Sequence, residues 1–464
     1  MVGADRQWDE VAAAVSLELE EEPRDARDTR IHATNVGEPA RVPGRRVALG
    51  LRANWRQFAL LVVVNAFVGG MVGLERTVLP LLGEREFGVG SNTVLVSFVA
   101  SFGLAKALTN LASGPLAQRF GRRRLLIAGW VAALPVAPLL LWAPAWGWVV
   151  GANLFLGVNQ GLAWSMTVNM KVDLVGPSRR GLALGLNEAA GYISLAATAF
   201  ATGLIAERWG LRPEPFYLGF VLAACGLGLS VLFVRDTTAF VAIEVAAHPQ
   251  PHATPSLKRA FVDVSWRSRH LFGIAQAGFT NNLNDALAWA LFPLLFAASG
   301  MPLHRVAMLV AAYPLIWGLL QLGTGWASDR FGRKPFVVIG MALQAVAIAL
   351  VAAVDAFDGW VVAVVLLGVG TALVYPVLLA AVGDAVHPEE RSTALGVYRF
   401  WRDAGAIAGA LLSGALADLF GVHTAILTVA ALTLLSALTA SRTMTGTTRT
   451  VADGSGYGSR PVRP

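Results

Sequence analysis

Residues 114–129, GPLAQRFGRRRLLIAG, and residues 325–340, GWASDRFGRKPFVVIG, are two copies of one pattern, 211 positions apart. The same offset carries LGV at 156 onto LGV at 367, Asp173 onto Asp384, Pro177 onto Pro388, Arg180 onto Arg391 and ALG at 183 onto ALG at 394. Agreement at one ungapped offset over about seventy residues marks a duplication. Each copy is a short basic segment between two apolar runs. A duplicated set of such runs reads as two parallel membrane bundles with a binding site between them.

The rest of the chain supports that frame. It is 55% hydrophobic and 14% charged, with a mean hydropathy of +0.57, too apolar for a soluble chain of 464 residues. Apolar runs separated by charged or Gly/Pro breaks predict twelve spans, at 57–82, 93–115, 124–144, 147–170, 181–205, 215–235, 270–298, 303–326, 335–355, 358–382, 393–418 and 421–441. The fold class is therefore all-α and integral to the membrane, in two pseudo-symmetric six-helix bundles. Alternate connections differ in charge: sixteen Lys and Arg fall in one set, from Arg119 and Lys171 to Arg391, against Arg85, Arg208, Arg212 and Arg305 in the other. By the positive-inside rule both termini are expected in the cytoplasm. The net charge of +7 needs no nucleic-acid partner, and one cysteine, Cys225, leaves no disulfide and no Cys-rich metal or redox site.

The expected organisation is a disordered cytoplasmic arm at 1–54, a bundle at 55–235, a cytoplasmic linker at 236–269, a second bundle at 270–441 and a disordered tail at 442–464. The first apolar run is too long and too far in for a cleaved signal peptide. The linker holds HPQPHATPS as its flexible part and LKRAFVDVSW as an amphipathic helix for the inner leaflet. His248 and His252 beside prolines read as solvated side chains rather than a metal pair. Met166 and Met170 read as packing.

At the first loop the chain resembles the major facilitator superfamily over residues 55–441. The family's loop motif, Gly-x-Leu-Ala-Asp-Arg-x-Gly-Arg-Arg, is matched by Gly114, Leu116, Ala117, Arg119, Gly121, Arg122 and Arg123, and departs at Gln118. The resemblance implies that an Asp at that position latches the start of helix eleven when the outer side is open, a latch that Gln118 weakens. The second copy keeps Asp329, with Arg330, Gly332 and Arg333, and pseudo-symmetry aims this acid at the start of helix five near Gly181. A basic loop that merely fixes topology accounts for the same residues. GVNQG puts Gly157 where drug–proton antiporters of the family carry an Arg. VGLER lacks the first acid of the peptide symporters' Glu-x-x-Glu-Arg. Neither subfamily is assigned.

Eight charges fall inside the spans and away from their ends: Glu75, Arg76, Lys106, Glu188, Asp285, Arg399, Arg402 and Asp403. Ionisable groups in a membrane face a protein interior or a water-filled path. Helices three, six, nine and twelve hold none away from their ends, which fits the family fold, where those four face lipid. Glu75 and Arg76 are about 100° apart around one helix and need partners elsewhere. Arg399 and Asp403, four apart, are expected to pair locally, and Glu188 with Arg399 to form a gate between the halves. Asn281 and Asn282 are expected to share the face of Asp285. Asn159, Gln160 and Trp164 add polar groups in helix four, with hydrogen bonding between helices as the alternative role for Asn159.

Together these residues predict a secondary transporter of a small organic solute, anionic or polar, working by alternating access and coupled to protons or another ion. Glu75, then Asp285, and Glu188 are the proton-coupling candidates. Arg76, Lys106 and Arg402, with Asn159, Gln160, Trp164, Asn281, Asn282 and Asp285, are the substrate candidates. Gly114, Gln118, Arg119, Gly121, Arg122, Asp329, Arg330, Gly332, Arg333 and Arg399 are the gating set. No resident cofactor or metal is expected, and a functional monomer in the inner or plasma membrane is. Absence of a phosphate-binding Gly-x-x-x-x-Gly-Lys-Ser/Thr loop, a His-Glu-x-x-His helix and a nucleophile elbow argues against an ATP motor and against an enzyme. An efflux antiporter for amphiphiles is the near alternative. A sensor on the same fold, without transport, is the remote one, and no signalling domain is expected in either terminal segment.

Overall fold

The computed structural model describes residues 49–175, 180–241, 257–386 and 391–445, with a two-residue strand pair, Arg41–Val42 and Arg45–Arg46; the side chains of residues 180–182 and 391–392 are not described. The arm before residue 41, His248, His252, Pro177, Pro388 and the tail beyond 445 lie outside the described residues.

Among the described residues, ten helices are long and apolar enough to cross a membrane by length and composition. They are α1 (Leu51–Arg85), α2 (Asn92–Phe120), α3 (Arg122–Leu141), α5 (Ala183–Trp209), α6 (Glu214–Leu232), α8 (Leu303–Phe331), α9 (Arg333–Ala353), α10 (Phe357–Ala385), α11 (Thr393–Phe420) and α12 (Val422–Thr443). Between them lie α4 (146–175) and α7 (269–298), which depart from plain apolar spans. A π-helical turn, Gln160–Trp164, interrupts α4, whereas α7 breaks after Ala290 and carries Gln276, Thr280, Asn281, Asn282, Asn284 and Asp285. Helix α1 starts at Leu51, six residues before the expected span, because Asn54 hydrogen-bonds to Gly50 O and Leu174 O and secures the entry turn. A short helix, Leu257–Val262, continues into a π-turn over Asp263–Arg267.

The duplication is visible in contacts as well as letters. Gly121 (φ 81°) and Gly332 (φ 89°) make equivalent left-handed turns after α2 and α8, a conformation that a side chain would strain. Arg122 Nε then pairs with Asp173 at 2.7 Å, and its mate Arg333 Nε with Asp384 at 3.2 Å. Asp236, just after α6, accepts from Arg123 N at 2.9 Å and from Thr238, tying the linker to the first loop. Burial pushes the Asp236 carboxyl up, but these hydrogen bonds, with Arg122 nearby, outweigh it and hold the group below its ordinary value.

Within the halves α1 packs on α5 and α7 on α11; between them α5 meets α8 and α2 meets α11. Helix α1 comes so close to α5 that a Cβ on Gly69 would lie 2.0 Å from Gly191 O, and Gly405 would meet Phe279 O at the same distance. We call the end holding the α2–α3 and α8–α9 turns the basic face. Both seams between the halves are tight toward the opposite face, where a Cβ on Gly203 would lie 2.2 Å from Ala307 and one on Gly414 2.8 Å from Thr93. Toward the basic face they are loose: a Cβ on Gly114, Gly185, Gly323, Gly325 or Gly396 would meet nothing within 4 Å.

Candidate functional site

The unwound middle of α4 and the broken end of α7 flank a buried polar layer where the halves meet. Three cations and four carboxylates occupy it. Arg76 of α1 is fully buried, and none of its guanidinium nitrogens makes a hydrogen bond. It rests instead on aromatic faces, 4.4 Å from the Trp289 ring of α7 and 5.1 Å from Phe102 of α2. Glu75 is equally buried, and neither of its oxygens makes a hydrogen bond of good geometry; Arg76 and Asn153 are its electrostatic neighbours. Side by side on one helix, the two acquire different surroundings, as the 100° turn between them requires.

Asp285 lies on the other half. Tyr313 of α8 donates to its Oδ1, while Oδ2 has no hydrogen bond. Arg76, Lys106 and Arg402 are all its electrostatic neighbours, so cations of both halves act on one carboxylate. Lys106 Nζ lies 3.8 Å from Asp403 across the α2–α11 seam, and Asn110 Nδ2 donates to Asp403 at 2.9 Å. The expected local pair of Arg399 with Asp403 is thus replaced: the neighbouring half supplies better-placed donors, because α2 runs directly against this face of α11.

Glu188 joins the halves too, through a partner other than the expected Arg399. Its Oε1 accepts from Trp164 Nε1 at 2.9 Å and Asn187 Nδ2 at 3.1 Å, and its Oε2 from the Tyr375 hydroxyl of α10 at 3.1 Å. Arg402 stacks 4.3 Å over the Tyr375 ring. Tyr192 packs between Trp164, at 5.4 Å, and Trp317, at 3.6 Å between ring centroids, so aromatic rings from α4, α5, α8 and α10 wall this side of the layer.

The remaining candidates divide. Gln160 is buried in the π-turn beside Trp164 with its Oε1 unpaired, as polar groups at such bulges often are in functional sites. Asn159 turns away and donates to Gly129 O of α3 at 2.9 Å. Asn282 donates to Arg402 O at 2.9 Å and helps set that residue's backbone. Asn281, expected on the face of Asp285, accepts from Gln344 of α9, which in turn accepts from Asn284. The amides of α7 therefore reach neighbours on several sides.

At the ends of α2 and α8, Arg119 and Arg330 are exposed over Phe120 and Phe331, and Gln118 is exposed. Asp329 accepts from Arg333 of its own half; it was expected to reach the start of helix five near Gly181, where the side chains of residues 180–182 are not described. Sequence reasoning missed Lys171, which it placed in a loop. The residue is fully buried in α4 and donates to Leu61 O of α1 at 3.0 Å. It also missed Tyr192, Tyr313, Trp317 and Tyr375, since an aromatic residue in an apolar run carries no mark of the face it takes. Among the described residues no group of three or more His, Cys, Asp or Glu could hold a metal ion.

Comparison with known proteins agrees with this architecture. The family model described as Major Facilitator Superfamily matches residues 58–275 and 274–459. Over 338 residues the chain is 29% identical to the "Probable nitrate/nitrite transporter NarK2" of Mycobacterium tuberculosis, covering 70% of this chain and 80% of that protein. It is 27% identical over 371 residues to the "Gentisate transporter" of Corynebacterium glutamicum, covering 77% and 80%. A crystal structure of a bacterial homolog of the human lysosomal transporter Spinster, inward-facing and unoccupied, superposes with a TM-score of 0.67 at 12% identity over 84% of this chain and 97% of that one. The chain belongs to the major facilitator superfamily, and is a multi-pass cell-membrane protein of that family of transporters.

Proposed function

We propose that this protein carries a small organic or inorganic anion across the membrane by alternating access, with proton movement coupled to it. The observation that carries this reading is Arg76: a guanidinium buried in the layer between the halves, flanked by aromatic faces and without a hydrogen-bond acceptor. Burying a cation is costly unless something compensates it. An anion placed between Arg76, Lys106 and Arg402 would do so while touching both halves. Two relatives point the same way, being named for nitrate or nitrite and for gentisate.

Coupling follows from the same layer. Glu75 and Asp285 each have carboxylate oxygen without a hydrogen bond, and both act on Arg76 from opposite halves. Protonating either would leave Arg76 freer for a substrate anion, so anion and proton would move together. Positive-inside orientation puts the basic face in the cytoplasm. We read the looser seams toward that face as the side from which the buried layer would open.

The test is counterflow in proteoliposomes with labelled nitrate, nitrite and gentisate beside a nucleoside and a lipophilic cation. Uptake of one or more anions, lost in Arg76→Gln, is expected. Uptake of the cation alone would overturn the anion reading in favour of an efflux antiporter, and no uptake of any solute would favour the sensor.

A further inference from the structure

The halves also meet at the face opposite the basic one, among residues that the transport reading does not use. Asp418, near the end of α11, accepts five hydrogen bonds from the start of α2: from the backbone N–H groups of Asn92 (2.5 Å) and Thr93 (3.0 Å), from the hydroxyls of Ser91 and Thr93 (both 2.7 Å) and from Asn92 Nδ2 (3.1 Å). Glu207, at the end of α5, accepts from the backbone N–H of His304 at the start of α8 (3.1 Å) and lies 2.8 Å from its ring Nδ1. Asp418 is 211 positions beyond Glu207, and His304 is 211 beyond Thr93. The two contacts are therefore copies of one device, retained through the duplication on both seams.

In each copy a carboxylate of one half occupies the first turn of a helix in the other. The free N–H groups and the positive end of the helix dipole favour a negative charge there. Below each lies a close backbone approach, Gly414 on Thr93 at one seam and Gly203 on Ala307 at the other, so the carboxylates cap interfaces that are already tight.

We propose that Asp418 and Glu207 are paired locks that hold this face shut, and that they are unequal, with Asp418 dominant. Asp418 draws two backbone and three side-chain donors, whereas Glu207 draws one backbone donor and one ring nitrogen. Charge-assisted bonds of this kind are about twice as strong as neutral ones, and on opening they would be exchanged for bonds to water at the exposed helix start. Opening this face, which the alternating-access reading requires and on which this inference rests, breaks both locks.

The experiment reads distances between spin labels in nanodiscs, without substrate, on a parent in which the exposed Cys225 is replaced by Ser. Labels replace the exposed Glu84 and His423 for one pair, and Trp209 and Ser299 for the other. Asp418→Asn is expected to raise the wide-distance population about tenfold over the parent, and Glu207→Gln about threefold. Ser91→Ala with Thr93→Val, which removes donors and keeps the acid, should widen the first pair by an intermediate factor, and Asp418→Glu should restore most of the narrow population. No widening in Asp418→Asn, or a larger effect from Glu207→Gln, would overturn the proposal. Should Asp418→Asn fail to fold, the Ser91/Thr93 variant decides: widening supports the lock and an unchanged distribution refutes it. Because no solute is present, widening in a protein that transports no anion would refute the substrate reading and leave the locks standing.

Discussion

The Tyr375 hydroxyl donates to Glu188 Oε2 at 3.1 Å, and that bond joins α10 of one half to α5 of the other. The second oxygen of the same carboxylate stays with its own half, held by Trp164 and Asn187. One side chain thus has one arm in its own half and one across the seam, the arrangement that the proposed alternating access would use.

Tyr375→Phe removes the arm across the seam and leaves the ring under Arg402 in place. A hydrogen bond to a charged group is worth about 1.5–3 kcal/mol, so the equilibrium between arrangements should shift by about tenfold or more. Trp164→Phe loses a bond inside one half and should lower thermal stability without moving that equilibrium. Distances between spin labels at the exposed Gln118 and Arg330 measure the difference. Equal shifts in the two variants would deny Glu188 its role between the halves.

Glu75→Gln tests coupling. Its carboxylate makes no hydrogen bond of good geometry, so the amide should leave folding and substrate exchange near parental rates. Accumulation driven by a proton gradient should vanish. A variant that still concentrates substrate against its gradient would exclude Glu75 as the coupling group.

Lys106 and Asp403 make opposite predictions alone and together. Lys106→Met leaves Asp403 buried with Asn110 as its remaining hydrogen-bond partner, and breaking a buried pair typically costs about 3–5 kcal/mol. Adding Asp403→Asn should recover most of that stability. If Lys106 also attracts substrate, the half-saturation constant for the anion should stay raised in the double variant, as counterflow would show. A constant that returns to the parental value along with stability would make the pair structural.

These residues show where sequence reading succeeds and stops. Spans and repeat were legible because burying backbone in lipid demands long apolar helices, and duplication leaves matching letters. The intramembrane charges were legible because they are too costly to lie there without a role. Their partners were not. Whether Asp403 meets Arg399 on its own helix or Lys106 on another depends on how two halves dock, which no periodicity encodes. Glu207 and Asp418 entered none of the candidate sets, although their common offset with Thr93 and His304 was already present in the letters.

Asp236 supplies the pH dependence. Its lowered carboxyl means that it is charged in the folded protein under conditions where the unfolded chain has begun to protonate it. Its contribution to stability is complete above the unfolded value, near 4, and is lost as pH falls through the lower folded value. Half exposed, the group is screened, and the effect should be about 1 kcal/mol or less. Melting of detergent-solubilised parent and Asp236→Asn should differ at pH 7 and converge toward pH 3. A gap that widens in acid would reverse the sign.

The unequal loop motifs yield the last prediction. Asp329 is charged and mostly exposed, paired with Arg333, which also reaches Asp384 in the same half. Its pseudo-symmetric counterpart, Gln118, is neutral. If the basic face closes as proposed, Asp329 would exchange Arg333 for the start of α5, a helix terminus that favours its charge, while Gln118 would bring to α11 only a neutral amide. A charge-assisted bond is about twice as strong as a neutral one, and a difference near 1.4 kcal/mol changes the population ratio about tenfold. Gly185 and Gly396, at the starts of α5 and α11, have open space where a side chain would project. Cysteines introduced there, with Cys225 replaced, report access from the basic face. Asp329→Asn should raise labelling of Gly185→Cys, Gln118→Ala should leave labelling of Gly396→Cys near the parent, and Gln118→Asp should lower it. The proposal fails if Asp329→Asn labels like the parent, or if Gln118→Ala has the larger effect.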